Sequence, residues 1–404
     1  MSSAVTSSKE RTLEVNIERL LPGGVGLAHA EGLTVLVSLA APGDRVRVHI
    51  NHVRGKVAFA SIREIVKPSP VRVEPPCPYF GRCGGCDFQQ LDYQAQLQAK
   101  VEIIRDCLYR IAHIEKLPEI AIVPSSRDWR YRSRATWQFD PRTRHLGYFE
   151  RGSHRVCDVE YCAVLVPELQ RTLEEFRNKV REHSLFKGEV QIEVAAGDEG
   201  VSVAPINEVL EVSRAIGAET YYFNALSFFQ INHELTGELV ATVTRGLRGD
   251  LAIDLYSGVG LFTLPLSRSF ARVIAIDSNS TATRFARRSL RAAGLQNTRV
   301  LTARVGDWLD HNCSTLNSVD VLLLDPPRSG VEAGVLEKII EMRPLRISYI
   351  SCDPATLARD LRKLLTAGYS LDSIDAFDMF PQTHHVETVA VLVSDHNRTR
   401  RAII

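Results

Sequence analysis

Nowhere in the 404 residues does an uninterrupted apolar run approach the about 18 residues that a membrane-spanning helix needs. The opening segment, MSSAVTSSKERT, lacks the apolar core of a secretory signal. Both absences lead to the expectation of a cytoplasmic protein with no membrane partner. Charge of one sign is lacking too: 49 Lys and Arg stand against 48 Asp and Glu, so a net charge of +1 gives no global sign of nucleic-acid binding. Local patches are not excluded. The runs RDWRYRSR (residues 127–134) and RTRHLGYFERGSHR (residues 142–155) crowd arginines among aromatics, readable either as RNA contact or as a solvated face. In a reducing compartment the eight cysteines do not suit a disulfide framework, so clustered ones point to a metal or to catalysis.

The length suggests two or three domains. From residue 12 to 66, short alternating strands (LEVNI, LTVLVSL, RVRVHI, KVAFASI) are punctuated by PGG and PGD, the pattern of a small closed β-barrel of the oligonucleotide-binding kind. The Pro-rich joint KPSPVRVEPPCP (residues 67–78) marks a boundary. A cysteine cluster and the helix-periodic stretch YQAQLQAKVEIIRDCLYRI follow it. Residues 129–218 mix strand-like runs with the helical PELQRTLEEFRNKVREH, which reads as an α+β insertion. From about residue 221, buried strand runs (LAIDLYS, RVIAID, VDVLLLDPP, ISYISCD, VAVLVS) alternate with helices, predicting a mainly parallel α/β sheet covered on both faces. The expected domains are 1–70, 71–220 and 221–404.

In LAIDLYSGVGLFTLPL a buried strand runs into Gly258 and Gly260 and then a helix, a turn that lets backbone amides approach a ligand. The next strand ends in Asp277, 19 residues past Gly258, where a carboxylate can accept hydrogen bonds from ribose hydroxyls. The third glycine of the dinucleotide fingerprint is absent, Thr263 standing in its place, so S-adenosylmethionine fits better than NAD. DPPRSG (residues 325–330) follows another buried strand, and its prolines end the strand so that the loop can face a cofactor and a planar substrate. Cys352, in YISCDPATLARDL, sits where a strand gives way to a helix, at the edge where open α/β sheets bind ligands. A thiol there is a nucleophile or simply a small buried hydrophobe.

Taken in order, the motifs FFQIN (residues 228–232), DLYSGVGLFTLPL, DPPRSG, SCDPATLARDL and MFPQTHHVETVAVL give the chain a resemblance, over nearly its whole length, to the uracil-5-methyltransferases of RNA, the ribosomal branch in particular. The resemblance implies an N-terminal barrel of the RNA-binding type called TRAM, a central α+β domain with an iron-sulfur cysteine loop and a C-terminal Rossmann-like class I methyltransferase domain. Carried over by position, it makes Cys352 the nucleophile and Glu387 the base, with Gln230, Tyr256, Asp277 and Asp325 contacting S-adenosylmethionine. Leu261 departs from the pattern, since the ribosomal members carry asparagine there. His384 and His385 are competing bases of lower rank.

These residue types suit the chemistry. Carbon 5 of uracil is too poor a nucleophile to attack a methyl sulfonium; addition of a thiolate to carbon 6 makes it an enolate carbon. A base must then take the carbon-5 proton so that the thiolate can leave.

Cys77, Cys83 and Cys86 form a C-x5-C-x2-C cluster, one thiolate short of a closed site. Four cysteines suit a 4Fe-4S cluster or structural zinc, and spacing alone leaves both open. The resemblance implies the 4Fe-4S cluster, with Cys162 rather than Cys157 as the fourth ligand. Cys107 and Cys313 read as structural. The expected partner is RNA, 23S ribosomal RNA ahead of transfer RNA, with a monomer as the default; a non-catalytic iron-sulfur or zinc RNA-binding protein is the rival reading.

Overall fold

The computed structural model describes residues 11–182, 188–205, 208–316 and 318–395. Its largest element is an eight-stranded sheet in the order Thr298–Thr302, Phe270–Asp277, Gly249–Leu255, Val321–Leu324, Arg346–Ser351, Glu387–Ser394, Tyr369–Phe377, Ala121–Val123. The first five strands run parallel, and Glu387–Ser394 enters antiparallel to Arg346–Ser351. Side chains alternate across the sheet, so one strand feeds two cores. Leu251, Ile253 and Leu255 join the helices Tyr93–Arg110, Val305–Asn312, Val335–Met342 and Pro354–Thr366 on one face. Ala252 joins His233–Thr244, Thr263–Ser269 and Ser280–Ala292 on the other. The expected α/β sheet with helices on both faces is therefore present.

Among the described residues there are three smaller sheets, one of them the hairpin of Val212–Ile216 and Glu219–Phe223. Six strands between Thr12 and Lys67 pair in the order Thr12–Asn16, Arg45–Arg54, Val57–Lys67, Leu33–Ser38, Val25–Ala30, Arg19–Leu21. The alternation predicted four of these; Arg19–Leu21 and Val25–Ala30 were hidden by the PGG turn between them, where Gly23 and Gly24 take φ of +85° and +72°. Among the described residues no ladder joins Thr12–Asn16 to Arg19–Leu21, so the closed barrel expected from the pattern is an open-edged sheet curled until its first strand packs on Val25–Ala30. The central sheet, Val156–Asp158, His145–Phe149, Arg134–Asp140, Val190–Ala196 and Val201–Ala204, is antiparallel and packs on the helix Pro167–Glu182. Among the described residues no helix is long and apolar enough to cross a membrane.

Candidate active site

Four of the parallel strands end on one edge, and each delivers a site residue there. Gly249–Leu255 runs into Tyr256 and the glycine turn, Phe270–Asp277 ends in Asp277, Val321–Leu324 precedes Asp325, and Arg346–Ser351 precedes Cys352. Glu387 reaches the same edge because its strand is antiparallel: it is the first residue of Glu387–Ser394, and the register pairs Ser351 with Thr388. Cys352 and Glu387 are thus the next facing positions. All six expected catalytic and cofactor residues, Gln230, Tyr256, Asp277, Asp325, Cys352 and Glu387, line a single cavity of about 630 Å³.

The local backbone explains how each is held. At Gly258 (φ +55°) a Cβ would meet nothing within 4 Å, so it is the left-handed backbone that favours glycine there, whereas at Gly260 (φ +91°) it would sit 3.2 Å from Leu264 and 3.3 Å from Ala286. One glycine serves the turn and the other helix packing. Asp277 does more than wait for a ribose: one carboxylate oxygen accepts the Gly258 N–H at 2.8 Å and the other the Asn279 N–H at 2.7 Å, fixing the turn while leaving lone pairs toward the cavity. Thr263 at the missing third glycine has its own task, donating at 2.5 Å to the buried Asp254, whose carboxyl burial pushes up to about 7. The Tyr256 hydroxyl is buried with no hydrogen-bond partner, the kind of orphaned group that a bound ligand satisfies. Leu261 presents an apolar side chain to the cavity, and its carbonyl accepts from Tyr221 at 3.0 Å.

Cys352 leaves its strand just before a tightly capped helix. Asp353 accepts the N–H groups of Ala355 and Thr356, both at 2.9 Å, and Pro354 occupies the first turn. The helix in turn holds the DPPRSG loop: Asp360 accepts the Val331 N–H at 3.1 Å and the Tyr349 hydroxyl at 2.7 Å. Gly330 has φ of +77°, and a Cβ there would lie 2.5 Å from Arg359 Nη2 and 2.8 Å from Asp360 Oδ2. A Gly330→Ala variant is therefore expected to lose at least about 1–2 kcal/mol from the left-handed backbone alone, read as a lowered thermal midpoint.

Burial governs the electrostatics. It pushes the Cys352 thiol up to about 12, assisted by the charge of Glu387 and opposed by the charge and hydrogen bonding of Arg328. The Glu387 carboxyl is held well above the ordinary range by burial and by Asp325, again with Arg328 opposing. Asp325 rises to about 7 by burial and the charge of Asp277. His385 is driven down to about 2 by burial first and then by neighbouring cations, so as a free base it is poor and neutral. His384 bonds Asp87 through Nδ1 at 2.5 Å and does not line the cavity.

Sequence reasoning passed over Arg328, although it stood in plain view as the cation of DPPRSG. It also passed over Arg134, which lines the cavity and donates to the carbonyls of Ala225 and Ser227, both at 2.5 Å, so fixing the loop that carries Gln230. The arginine run 127–134 is divided: Arg127 and Arg130 are exposed, while Arg132 and Arg134 are half-buried. Arg132 belongs to a second, small cavity of about 30 Å³ lined by Cys77, Cys83, Cys86 and Cys162. Cys157 lies outside it and accepts from Arg82 at 3.2 Å. Burial pushes Cys83 and Cys86 up to about 12 and raises Cys162. Among the described residues no three His, Cys, Asp or Glu side chains are grouped as for a single metal ion.

Comparison with known proteins agrees with this geometry. Residues 201–395 match the family tRNA (Uracil-5-)-methyltransferase, and residues 8–62 match the TRAM domain. A protein of Pectobacterium atrosepticum described as a 23S rRNA (uracil(1939)-C(5))-methyltransferase is 31% identical, over 95% of this chain and 94% of its own. An uncharacterized RNA methyltransferase of Thermosynechococcus vestitus is also 31% identical, over 95% of this chain and 98% of its own. Among solved structures, the Pyrococcus abyssi tRNA (uracil-54, C5)-methyltransferase in complex with S-adenosyl-L-homocysteine superposes with a TM-score of 0.71 at 25% identity, covering 94% of this chain and 100% of its own. The chain, with its TRAM domain ahead of a methyltransferase sheet whose strand ends share one cavity, belongs to the S-adenosylmethionine-dependent RNA uracil-5-methyltransferase family.

Proposed function

We propose that this enzyme methylates carbon 5 of a uridine in 23S ribosomal RNA through a covalent Cys352 adduct. The observation that carries the reading is the facing of Cys352 and Glu387 across neighbouring strand ends, in the cavity that also holds Gln230, Tyr256, Asp277 and Asp325. The Cys352 thiolate bonds to carbon 6, and carbon 5 takes the methyl group of S-adenosylmethionine, releasing S-adenosylhomocysteine. Glu387 accepts the carbon-5 proton, the carbon 5–carbon 6 double bond re-forms and the sulfur–carbon bond breaks. A carboxylate whose affinity for protons is raised by burial is a better acceptor than an exposed one. Gln230, Tyr256, Asp277 and Asp325 are assigned to S-adenosylmethionine; the turn at Gly258 and the orphaned Tyr256 hydroxyl support that. The relatives described as 23S methyltransferases favour ribosomal RNA, and the Pyrococcus abyssi neighbour makes transfer RNA the alternative. Residues 1–70 are assigned to RNA binding, 71–220 to the cysteine module and RNA recognition, and 221–404 to methyl transfer.

The test is incubation with ribosomal RNA containing 5-fluorouridine in the presence of S-adenosylmethionine. Fluorine cannot leave as a proton does, so a stable protein–RNA adduct is expected from the native chain and none from Cys352→Ala. Absence of any adduct and of 5-methyluridine in every RNA offered would overturn the reading. The raised thiol also fixes a pH dependence. Because Cys352 is protonated below about 12 in the free protein, its thiolate fraction grows as pH rises, so adduct formation is expected to accelerate from pH 6 to 9. Arg328→Gln removes the opposing cation and is expected to slow the step at every pH in that window.

Cys77, Cys83, Cys86 and Cys162 are assigned to a 4Fe-4S cluster. The four cysteines line one small cavity together with Arg132, whose Nε has no hydrogen-bond partner, and thiolate donors of that kind suit an iron-sulfur cluster. The role is structural, since the proposed transfer moves no electron.

A further inference from the structure

Glu387 follows a loop, residues 378–386, that spans the space between the cavity and the cysteine segment. Several parts of the chain grip it, Tyr131 through its hydroxyl to the Pro381 carbonyl at 2.8 Å among them, and the tightest grip comes from the residue after Cys86. Asp87 accepts the His384 N–H through Oδ1 at 2.7 Å and bonds His384 Nδ1 through Oδ2 at 2.5 Å. The N–H groups of Asp87 and Phe88 both donate to the Gln382 carbonyl, at 3.1 and 3.0 Å. Gln96, on the helix Tyr93–Arg110, exchanges two hydrogen bonds with Gln382, 3.0 Å from Nε2 to Oε1 and 2.9 Å from the Gln382 N–H to Oε1. Gln382 sits at φ +68°, a conformation a non-glycine residue keeps only where its surroundings hold it. From the other side the N-terminal sheet closes in: a Cβ on Gly24 would lie 3.1 Å from both His384 Cβ and Phe88 Cε1.

We propose that Asp87 is a positioning residue for the base: acting through His384 and Gln382, it holds the loop that sets Glu387 at carbon 5 of the bound uracil. The proposal rests on the reading of Glu387 as the base. Asp87 touches no substrate, and its side chain does not line the cavity. It has no part in thiolate addition or methyl transfer. Its influence falls on the last half of the reaction, removal of the carbon-5 proton and release of the sulfur. Asp87 directly follows Cys86, so this contact joins the cysteine segment to the loop that leads to Glu387.

The consequence separates positioning from general stability. In Asp87→Ala both His384 bonds are lost, so adduct formation with 5-fluorouridine RNA is expected at the wild-type rate. Turnover on ordinary uridine RNA should fall about tenfold to a hundredfold, as for a catalytic group misplaced by about an ångström. The missing turnover should appear as a methylated protein–RNA adduct, visible on a denaturing gel with methyl-labelled S-adenosylmethionine. Asp87→Asn, which keeps an acceptor for the His384 N–H, is expected to fall between Asp87→Ala and the native chain. Glu387→Gln is the reference. If it accumulates the methylated adduct and Asp87→Ala releases product normally, the positioning role is wrong; if Glu387→Gln itself releases product normally, the assignment of the base is wrong. Loss of fluorouridine adduct together with turnover in both Asp87 variants would show a structural defect and also overturn the proposal. Visible absorbance and iron content of the purified variants, unchanged from the native chain, are the expected companions of the positioning role.

Discussion

Cys352→Ala is expected to lose methyl transfer to RNA by about 10⁴-fold or more, the scale seen when a covalent nucleophile is removed, while S-adenosylmethionine binds as before. The size of the effect follows from the substrate. Without a bond to carbon 6, carbon 5 of uracil has no enolate character, and no arrangement of the remaining groups supplies it. Loss of fold is a poor rival explanation, because the thiol is half-buried at the cavity wall and the helix behind it is capped by Asp353 and Pro354, which the substitution leaves intact. Cys352→Ser should be nearly as inactive, since a hydroxyl in the same buried place ionises even less readily than a thiol already held up to about 12. Binding of the methyl donor is measured by calorimetry and transfer by label incorporated into RNA. Wild-type-like turnover in Cys352→Ala would overturn the covalent route, and lost donor binding would place Cys352 in the cofactor site instead.

Much of this site was legible because its residues follow strands that the sequence announces. Asp277, Asp325 and Cys352 each close an apolar run, and parallel strands bring their ends to a common edge whatever the loops between them do. Glu387 was not legible on those terms. It begins an apolar run, and it reaches the edge only because that strand runs antiparallel to Arg346–Ser351, a fact of pairing that no local pattern carries. The helix Tyr93–Arg110 was readable from its period, but not its packing against Pro354–Thr366, some 250 residues later. The same holds for Ala121–Val123, three residues that complete the large sheet by pairing with Tyr369–Phe377. Composition misled at the arginine runs. Alternation at Arg134–Asp140 puts Arg134 on the face opposite the buried Ala135, Trp137 and Phe139, yet the carbonyls of Ala225 and Ser227 and the carboxylate of Glu193 hold it half-buried. Arg132 is half-buried beside the cysteines, whereas charge content alone made both surface residues.

Breaking the buried pair between Lys100 and Asp378 is expected to give the largest loss of stability of any single charge removal. Both side chains are fully buried and in direct contact, and Lys100 Nζ also donates to the Phe380 carbonyl at 3.0 Å. An ion pair in such a place yields little net stabilisation, because desolvation of two charges offsets most of their attraction. Removal of one partner is another matter. Lys100→Met strands a carboxylate in a low-dielectric interior, at a cost of about 3–5 kcal/mol. Asp378→Asn strands the ammonium with a weaker acceptor and should cost less. The double variant removes both charges, so its loss should be well below the sum of the two, with a coupling of about 1–3 kcal/mol. Urea midpoints of the four proteins, followed by hydrogen exchange across residues 378–386, measure this. The exchange data matter because Asp378 and Phe380 begin the loop that ends at Glu387: Lys100→Met should raise exchange there before the sheet itself opens. A midpoint unchanged in Lys100→Met would mean that water or rearrangement satisfies Asp378, and the loop would then owe its order to its other contacts, those of Asp87, Gln96 and Tyr131 among them.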